Sequence, residues 1–199
     1  ANALSDYPSE ELLRRAEFNP HTKDRYVESS GAEVVIEGQR KLYLHTDGTL
    51  SYSGGAAEDG SLFAVAAADA AHISRAEFCA AARGLVGALT QGRIGDAALF
   101  LSGIESDDDD GATVFFDYMA GGTPIRFADG SHAAEVRIEG QSITAFSLRL
   151  RRYTLTERDS LLLPLALSRA IAQRYPGCEL TVAYIDSYGD SVGASWIAD

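Results

Sequence analysis

Ala32-Glu33-Val34-Val35-Ile36-Glu37-Gly38-Gln39 returns later in the chain as Ala134-Glu135-Val136-Arg137-Ile138-Glu139-Gly140-Gln141. Seven of the eight positions are identical. Each copy alternates apolar and polar residues into a glycine, the pattern of a strand that ends in a turn. The segments after the two copies also match in kind: a second strand, an alanine- or leucine-rich helical stretch, then two more strands. The chain reads as one unit built twice. The expected fold class is α+β, as two tandem repeats, each an antiparallel β-sheet packed on one main helix. The expected boundaries are 1–31 for an N-terminal helix and connector, 32–119 for the first unit and 120–199 for the second. Because a strand has a period of two, the matching phrases predict that Ile36 and Ile138 sit at equivalent positions and face the same way.

Working outward from the first phrase, strands are expected at 33–37, 40–45 and 49–53, joined at Glu37-Gly38-Gln39 and Thr46-Asp47-Gly48. Asp-Gly is a strong hairpin signal. A further strand is expected at 62–67. Ser74 then caps a helix, with Glu77 three residues on completing a capping box. Phe78, Ala82, Leu85, Val86 and Leu89 fall on one stripe of that helix, and Gly92 ends it. Gly84 and Gly87 lie inside it, each costing about 1 kcal/mol relative to Ala; close packing or mere tolerance would explain them. Strands at 97–104 and 112–119 come next. The tip between them, with Asp107-Asp108-Asp109-Asp110, lacks the alternating oxygens of a calcium loop and reads as solvated. Upstream, Ser9 caps a short helix from Glu10 to Phe18, and His21 to Gly31 reads as a connector.

Around the second phrase, strands are expected at 124–128, 132–139 and 142–153. Thr156 or Ser160 caps the next helix, with Pro164 either in its first turn or at a kink. Leu161, Leu165, Leu167, Ile171 and Tyr175 are expected to form its buried face, and Pro176-Gly177 to stop it. Cys178 to Ile185 and Val192 to Ile197 read as closing strands around a turn at Tyr188-Gly189-Asp190. Short glycine-containing turns imply antiparallel neighbours.

Seventeen Lys and Arg against 29 Asp and Glu give a formal net charge of -12. Nucleic acid is thereby disfavoured as a partner, since its affinity rests on neutralising phosphates. An anionic membrane surface is disfavoured as a direct partner for the same reason. The two cysteines, Cys79 and Cys178, form no CxxC and no Cys/His cluster, so no zinc site is expected. Their pairing is left open. His21, His45, His72 and His132 are scattered without metal-ligand spacing. No metal and no cofactor is expected.

No Gly-x-Ser-x-Gly elbow, dinucleotide fingerprint or phosphate-binding loop is present. A Ser/His/Asp triad needs no adjacency in sequence and stays open. No catalytic residue is assigned, and the chain is read as a non-enzyme. Tyr43, Tyr52, Phe115, Tyr118, Tyr153, Tyr184, Tyr188 and Trp196 lie in or beside expected strands, mostly as core. The remainder would suit a partner surface. The run Arg149-Leu150-Arg151-Arg152 stands out in an acidic chain, as a solvated strand end or as a partner for acids of a neighbouring unit.

Gly122-Thr123-Pro124, the phrase Ala134 to Ile143, the Leu161 to Ala170 helix, and the closing pair Leu180 to Asp186 and Ala194-Ser195-Trp196 together resemble the YycH and YycI proteins. The resemblance covers roughly 112–199 and, more faintly, 32–111. Family members carry Pro-Trp where this chain has Ser195-Trp196. The resemblance implies PepSY-like α+β units without catalytic residues. It also implies an extracytoplasmic accessory regulator of the sensor kinase of a two-component system, held by one N-terminal transmembrane helix. The expected function is therefore a non-enzymatic regulatory or binding module outside the cytoplasm. Its expected partner is a protein such as a membrane sensor kinase. Its membrane association would come only through an anchor outside this sequence, which begins Ala1-Asn2-Ala3 without an initiator Met. A secreted hydrolase and a PepSY-like module that restrains a peptidase are the alternatives.

Overall fold

Both copies of the phrase fold as strands, and both turn at their glycine. The computed structural model describes residues 9–58, 60–69, 72–107, 111–157, 160–174 and 177–198. In chain order its elements are α1 (Ser9–Arg15), β1 (Arg25–Val27), β2 (Glu33–Glu37), β3 (Arg40–Leu44), β4 (Thr49–Ser53), α2 (Arg75–Thr90), β5 (Ala97–Asp107), β6 (Gly111–Ala120), β7 (Thr123–Phe127), β8 (Ala134–Glu139), β9 (Ser142–Arg149), α3 (Leu165–Ala172), β10 (Leu180–Asp186) and β11 (Gly193–Ala198). Asp108–Asp110 of the acidic tip, and Tyr175 and Pro176, lie outside the described residues.

In β2–β3 and β8–β9 the turn residues are Gly-Gln, and Glu37 pairs with Arg40 as Glu139 pairs with Ser142. Gly38 has φ 59° and Gly140 φ 55°. A positive φ at the first central position matches the right-handed twist of a two-residue hairpin, and glycine reaches it without a Cβ clash.

The fold is α+β, but two tandem sheets on one helix each are not shown. Among the described residues all eleven strands belong to one sheet, in the order β1-β2-β3-β4-β9-β8-β6-β7-β10-β11, with β5 beside β6. The named strands pair antiparallel except β7 with β10, which run parallel. β4 beside β9 joins the N-terminal meander to the second half, in the register Leu50 to Leu148 and Tyr52 to Phe146.

One apolar row therefore crosses six strands: Val35, Leu42, Tyr52, Phe146, Val136 and Val114 are successive register partners. All are buried in the main core, together with Leu12 and Leu13 of α1 and Phe78, Leu85 and Leu89 of α2. Both helices thus cover the same sheet face. Each such side chain contributes about 1.5–3 kcal/mol by leaving water. A bulge in β9 opposite Arg137 and Ile138 lets Ile143 and Phe146 both reach this core.

The expectation for Ile36 and Ile138 is overturned. Ile138 is fully buried in the core, while in β2 it is Val35 that enters it, leaving Ile36 half-buried on the other face. The two phrases present opposite faces. The single position that differs between them accounts for this: Val35 faces the core, and its counterpart Arg137 faces solvent, with Glu139 at 3.0 Å.

A local signal positions α2 as read, while α1 runs Ser9–Arg15 with Ser9 inside it and α3 starts after Pro164, not at Thr156 or Ser160. Ser74 caps α2, with the Ser74 N–H and hydroxyl both donating to Glu77 Oε2 at 2.8 and 2.6 Å. A Cβ at Gly84 or Gly87 would meet nothing within 4 Å, so tolerance, not close packing, explains both. Arg40 of β3 donates to the Ala16 and Glu17 carbonyls, at 3.2 and 2.7 Å, and so ties the end of α1 to the sheet. Two further expectations fail. Residues 62–67 form no strand, only a bridge from Ala64 to Ser142, and β1 lies within the segment read as a connector.

Exchanging the two differing residues separates the faces. Val35→Arg should cost more than about 4 kcal/mol, because it places an unpaired charge in the core. Arg137→Val should change stability by no more than about 0.5 kcal/mol. Urea unfolding of both variants checks this; equal effects would contradict the assignment of faces.

Candidate functional site

After β9 the chain crosses toward β7 and β10 and places Arg151 and Tyr153 over them. Arg151 is 5% exposed and Asp186 is fully buried. Arg151 Nε donates to Asp186 Oδ2 and Nη2 to Oδ1, both at 3.0 Å, and Nη2 also donates to the Gly189 carbonyl. Tyr153 donates its hydroxyl to Asp186 Oδ2 at 2.7 Å, and the Tyr188 N–H donates to Oδ1 at 2.7 Å. A buried carboxylate with this many donors is a satisfied one. Burial, and then the Asp186 carboxylate, push the Tyr153 phenol well above its ordinary range. Burial disfavours the Arg151 charge, but Asp186 and Tyr153 more than offset it, so its pKa is raised. Tyr118 joins this network by donating to the Arg149 carbonyl at 2.7 Å.

The basic run is thus not a solvated strand end throughout. Arg151 is buried against Asp186 of its own half of the chain. Arg149 lies 3.6 Å from Asp129 and stacks over Phe127 and Tyr188. Arg152 alone of the three is exposed. Asp129 accepts from the Ser131 hydroxyl and from Tyr188, both at 2.6 Å, and these bonds hold its carboxyl below the usual range. Tyr188 has φ 63° and is 41% exposed. Of the aromatics singled out from sequence, only Tyr188 is an exposed one among the described residues; Tyr52, Tyr118 and Tyr153 are core.

Beside this network a cleft of about 420 Å³ opens between the sheet and a strap described at residues 154–157 and 160–164. Ile125, Tyr153, Leu155, Leu162, Tyr184 and Val192 give it apolar walls, and Thr123, Thr154, Thr156 and Ser160 give it hydroxyls. Among the described residues no Asp, Glu, Lys, Arg or His lines it. Side chains hold the strap down: Ala194 N–H donates to the Ser160 hydroxyl at 3.2 Å, Trp196 Nε1 to the Leu163 carbonyl at 2.8 Å, and Leu155 N–H to Asp96 at 2.9 Å.

The expected buried face of the helix after the strap is corrected. α3 buries only Ser168, whereas Leu161 is fully exposed and Leu165, Leu167 and Ile171 are about half-exposed. Pro164 is its N-cap and supplies no side-chain bond.

The face opposite α1 and α2 carries a separate polar group. Asp117, 2% exposed, accepts from Arg126 at 2.6 Å and lies 3.1 Å from His132 Nδ1, whose ring packs on Phe115. His45 Nε2 lies 3.3 Å from the Ser51 hydroxyl. Neither histidine engages both a serine and a carboxylate. His72 lies 3.9 Å from Asp69, exposed. Cys79 and Cys178 are free thiols. Among the described residues no three His, Cys, Asp or Glu side chains converge to hold a metal ion, and no helix is long and apolar enough to cross a membrane.

Asp117, Arg126 and Asp186 were not singled out from sequence. The signal was a lone carboxylate in a strongly apolar strand, in Phe115-Phe116-Asp117-Tyr118 and in Val182-Ala183-Tyr184-Ile185-Asp186. Such a residue is kept inside a fold only when paired. The fold and the site together define an α+β chain with one open sheet and a surface cleft that, among the described residues, no charged side chain lines. Compared with protein-family models, with curated proteins and with solved structures, the chain matches none.

Arg151→Ala or Asp186→Ala should each cost about 3–5 kcal/mol, because each leaves the other charge buried and unpaired. The double replacement by apolar residues should cost much less than the sum of the two. Urea unfolding of the cycle measures the coupling; additive effects would show that the pair does not act as one.

Proposed function

We propose that this chain is a non-enzymatic regulatory or binding module that docks to another protein through the cleft beneath the strap. The cleft's chemistry carries this reading. On a molecule of net charge -12, it is a concave surface whose lining, among the described residues, carries no charged side chain and is polar and apolar in about equal share. Its volume lies within the range of ligand pockets. It suits a neutral segment of a partner, with apolar side chains against its walls and the hydroxyls meeting that segment's polar groups. An anchoring side chain in such a pocket supplies much of an interface's energy.

On the resemblance to YycH and YycI, the module works outside the cytoplasm, is held at the membrane by an anchor outside this sequence, and meets a sensor kinase there.

Thr123→Trp should fill the cleft while leaving both core clusters intact. With a photo-crosslinking residue at Leu162, the native chain in its own membranes should yield an adduct with a sensor kinase, and Thr123→Trp should abolish it. An adduct with a peptidase instead would favour the peptidase-restraining alternative. Hydrolysis of ester, peptide or glycoside probes, lost on replacing one Ser, Asp or Glu, would contradict the non-enzymatic reading.

A further inference from the structure

Three turns meet at one end of the sheet: Thr46-Asp47-Gly48 after β3, Ala128-Asp129-Gly130 after β7 and Tyr188-Gly189 after β10. Ala128 N–H donates to the Asp186 carbonyl and Leu150 N–H to the Gly48 carbonyl, both at 2.9 Å, so backbone bonds fix the turns to their neighbours. Together they border an open pocket of about 530 Å³, lined by Thr46, Asp47, Asp129, Arg149, Arg151 and Tyr188. It shares no lining residue with the cleft beneath the strap. Turns carried at one end of a rigid sheet are a common place for a binding site.

Not every charge in this pocket is satisfied. Arg151 is committed to Asp186 and to the Gly189 carbonyl. Asp129 is committed to its surroundings: Oδ1 accepts from the Ser131 N–H and hydroxyl, and Oδ2 from the Tyr188 hydroxyl. Arg149 is different. Its guanidinium lies 5.5 Å from the ring centroids of both Phe127 and Tyr188, and it donates no hydrogen bond among the described residues. Its ion-pair partner Asp129 stands at 3.6 Å, beyond hydrogen-bond reach. A guanidinium oriented by two rings, with its N–H donors unused, is a preformed fork for a carboxylate. Asp47 is the counterpart of opposite sign. It is exposed, its Oδ1 accepts from the Thr49 N–H at 2.8 Å, and its Oδ2 has no partner among the described residues.

The backbone singles out the same place. Tyr188 has φ 63°. A bulky side chain in the left-handed region is an outlier, and such strain collects at ligand sites. This turn presents the phenol ring, 41% exposed, to the pocket.

We infer that the pocket binds a free α-amino acid with an apolar side chain. The carboxylate takes the Arg149 fork, the ammonium takes Asp47, and the side chain lies on the Tyr188 ring. A simple anion would meet Asp47 and Asp129, and a simple cation would meet Arg149 and Arg151. Like charges brought together select against both, whereas a molecule that carries both charges answers both. An internal stretch of a protein chain carries neither α-group, so the ligand is a small molecule.

Titration of the full chain with L-phenylalanine, followed in proton–nitrogen correlation spectra, tests it. Saturable shifts are expected at the Gly48, Gly130 and Gly189 amides, with a dissociation constant of about 1 mM, the level a ligand of this size reaches. 3-Phenylpropionate lacks the ammonium and phenethylamine lacks the carboxylate. Each should bind at least about tenfold more weakly, because each leaves one charge of the pocket unanswered. Arg149→Lys keeps the charge but loses the fork, and should weaken phenylalanine binding about tenfold. Asp47→Asn, at an exposed position, should erase the preference for phenylalanine over 3-phenylpropionate. Far-UV circular dichroism should show both variants folded. No saturable shift with phenylalanine, equal binding of 3-phenylpropionate, or binding that either folded variant leaves unchanged would overturn the inference. None of these results bears on the cleft reading, which rests on Thr123→Trp.

Discussion

The pairing of β4 with β9 is the constraint on which the rest of the structure depends. It aligns Tyr52 with Phe146 and Leu50 with Leu148. That register continues the apolar row of the N-terminal meander into β9, β8 and β6, giving α1 and α2 one surface to cover. The same register fixes the faces: with Tyr52 and Phe146 in the core, strand alternation sends Val35 and Val136 inward and Arg137 outward. Without this seam the meander would keep a half-formed face and α1 would have little to pack on.

Beyond β9 the core changes character. The second cluster is small, formed by Tyr118, Ile125, Phe127, Tyr153 and a few alanines. Its centre is polar, with Arg151 and Asp186 buried beside the Tyr153 hydroxyl. A buried ion pair adds little net stability, since desolvation offsets most of the attraction. Its contribution is geometric. Asp186 binds the segment after β9 and the turn at Tyr188 to the same point, and that holds the cleft's floor in place. A thin core also explains why the strap and α3 find so little to pack against.

Local structure was largely legible in the sequence. The glycine turns at Gly38 and Gly140, the Asp47-Gly48 turn and the Ser74/Glu77 cap each depend on a few adjacent residues, and the structure places them as read. The partners of each strand were not legible, because pairing is decided between distant segments. Consecutive hairpins suggested two closed units; nothing local says that β4 prefers β9, or that β7 and β10 run parallel. The inversion of the second phrase did leave a trace, in Arg137 where Val35 stood, but a shared pattern outweighed one substitution. The leucines of 161–171 were assigned to a buried face by composition. Their exposure could not be read there, because composition does not say whether a side chain finds a surface to pack against. The cleft was equally hidden, since its lining comes from separated segments of the second half of the chain.

The most direct test of one continuous sheet is nuclear Overhauser contact across the β4–β9 seam. Strong backbone contacts are expected between the antiparallel partners Leu50 and Leu148, Ser51 and Ser147, and Tyr52 and Phe146, with ring contacts between Tyr52 and Phe146. If those contacts were missing while the β2–β3 and β8–β9 hairpin contacts persisted, the chain would hold two separate sheets, and the dependence of the fold on a single seam would be contradicted.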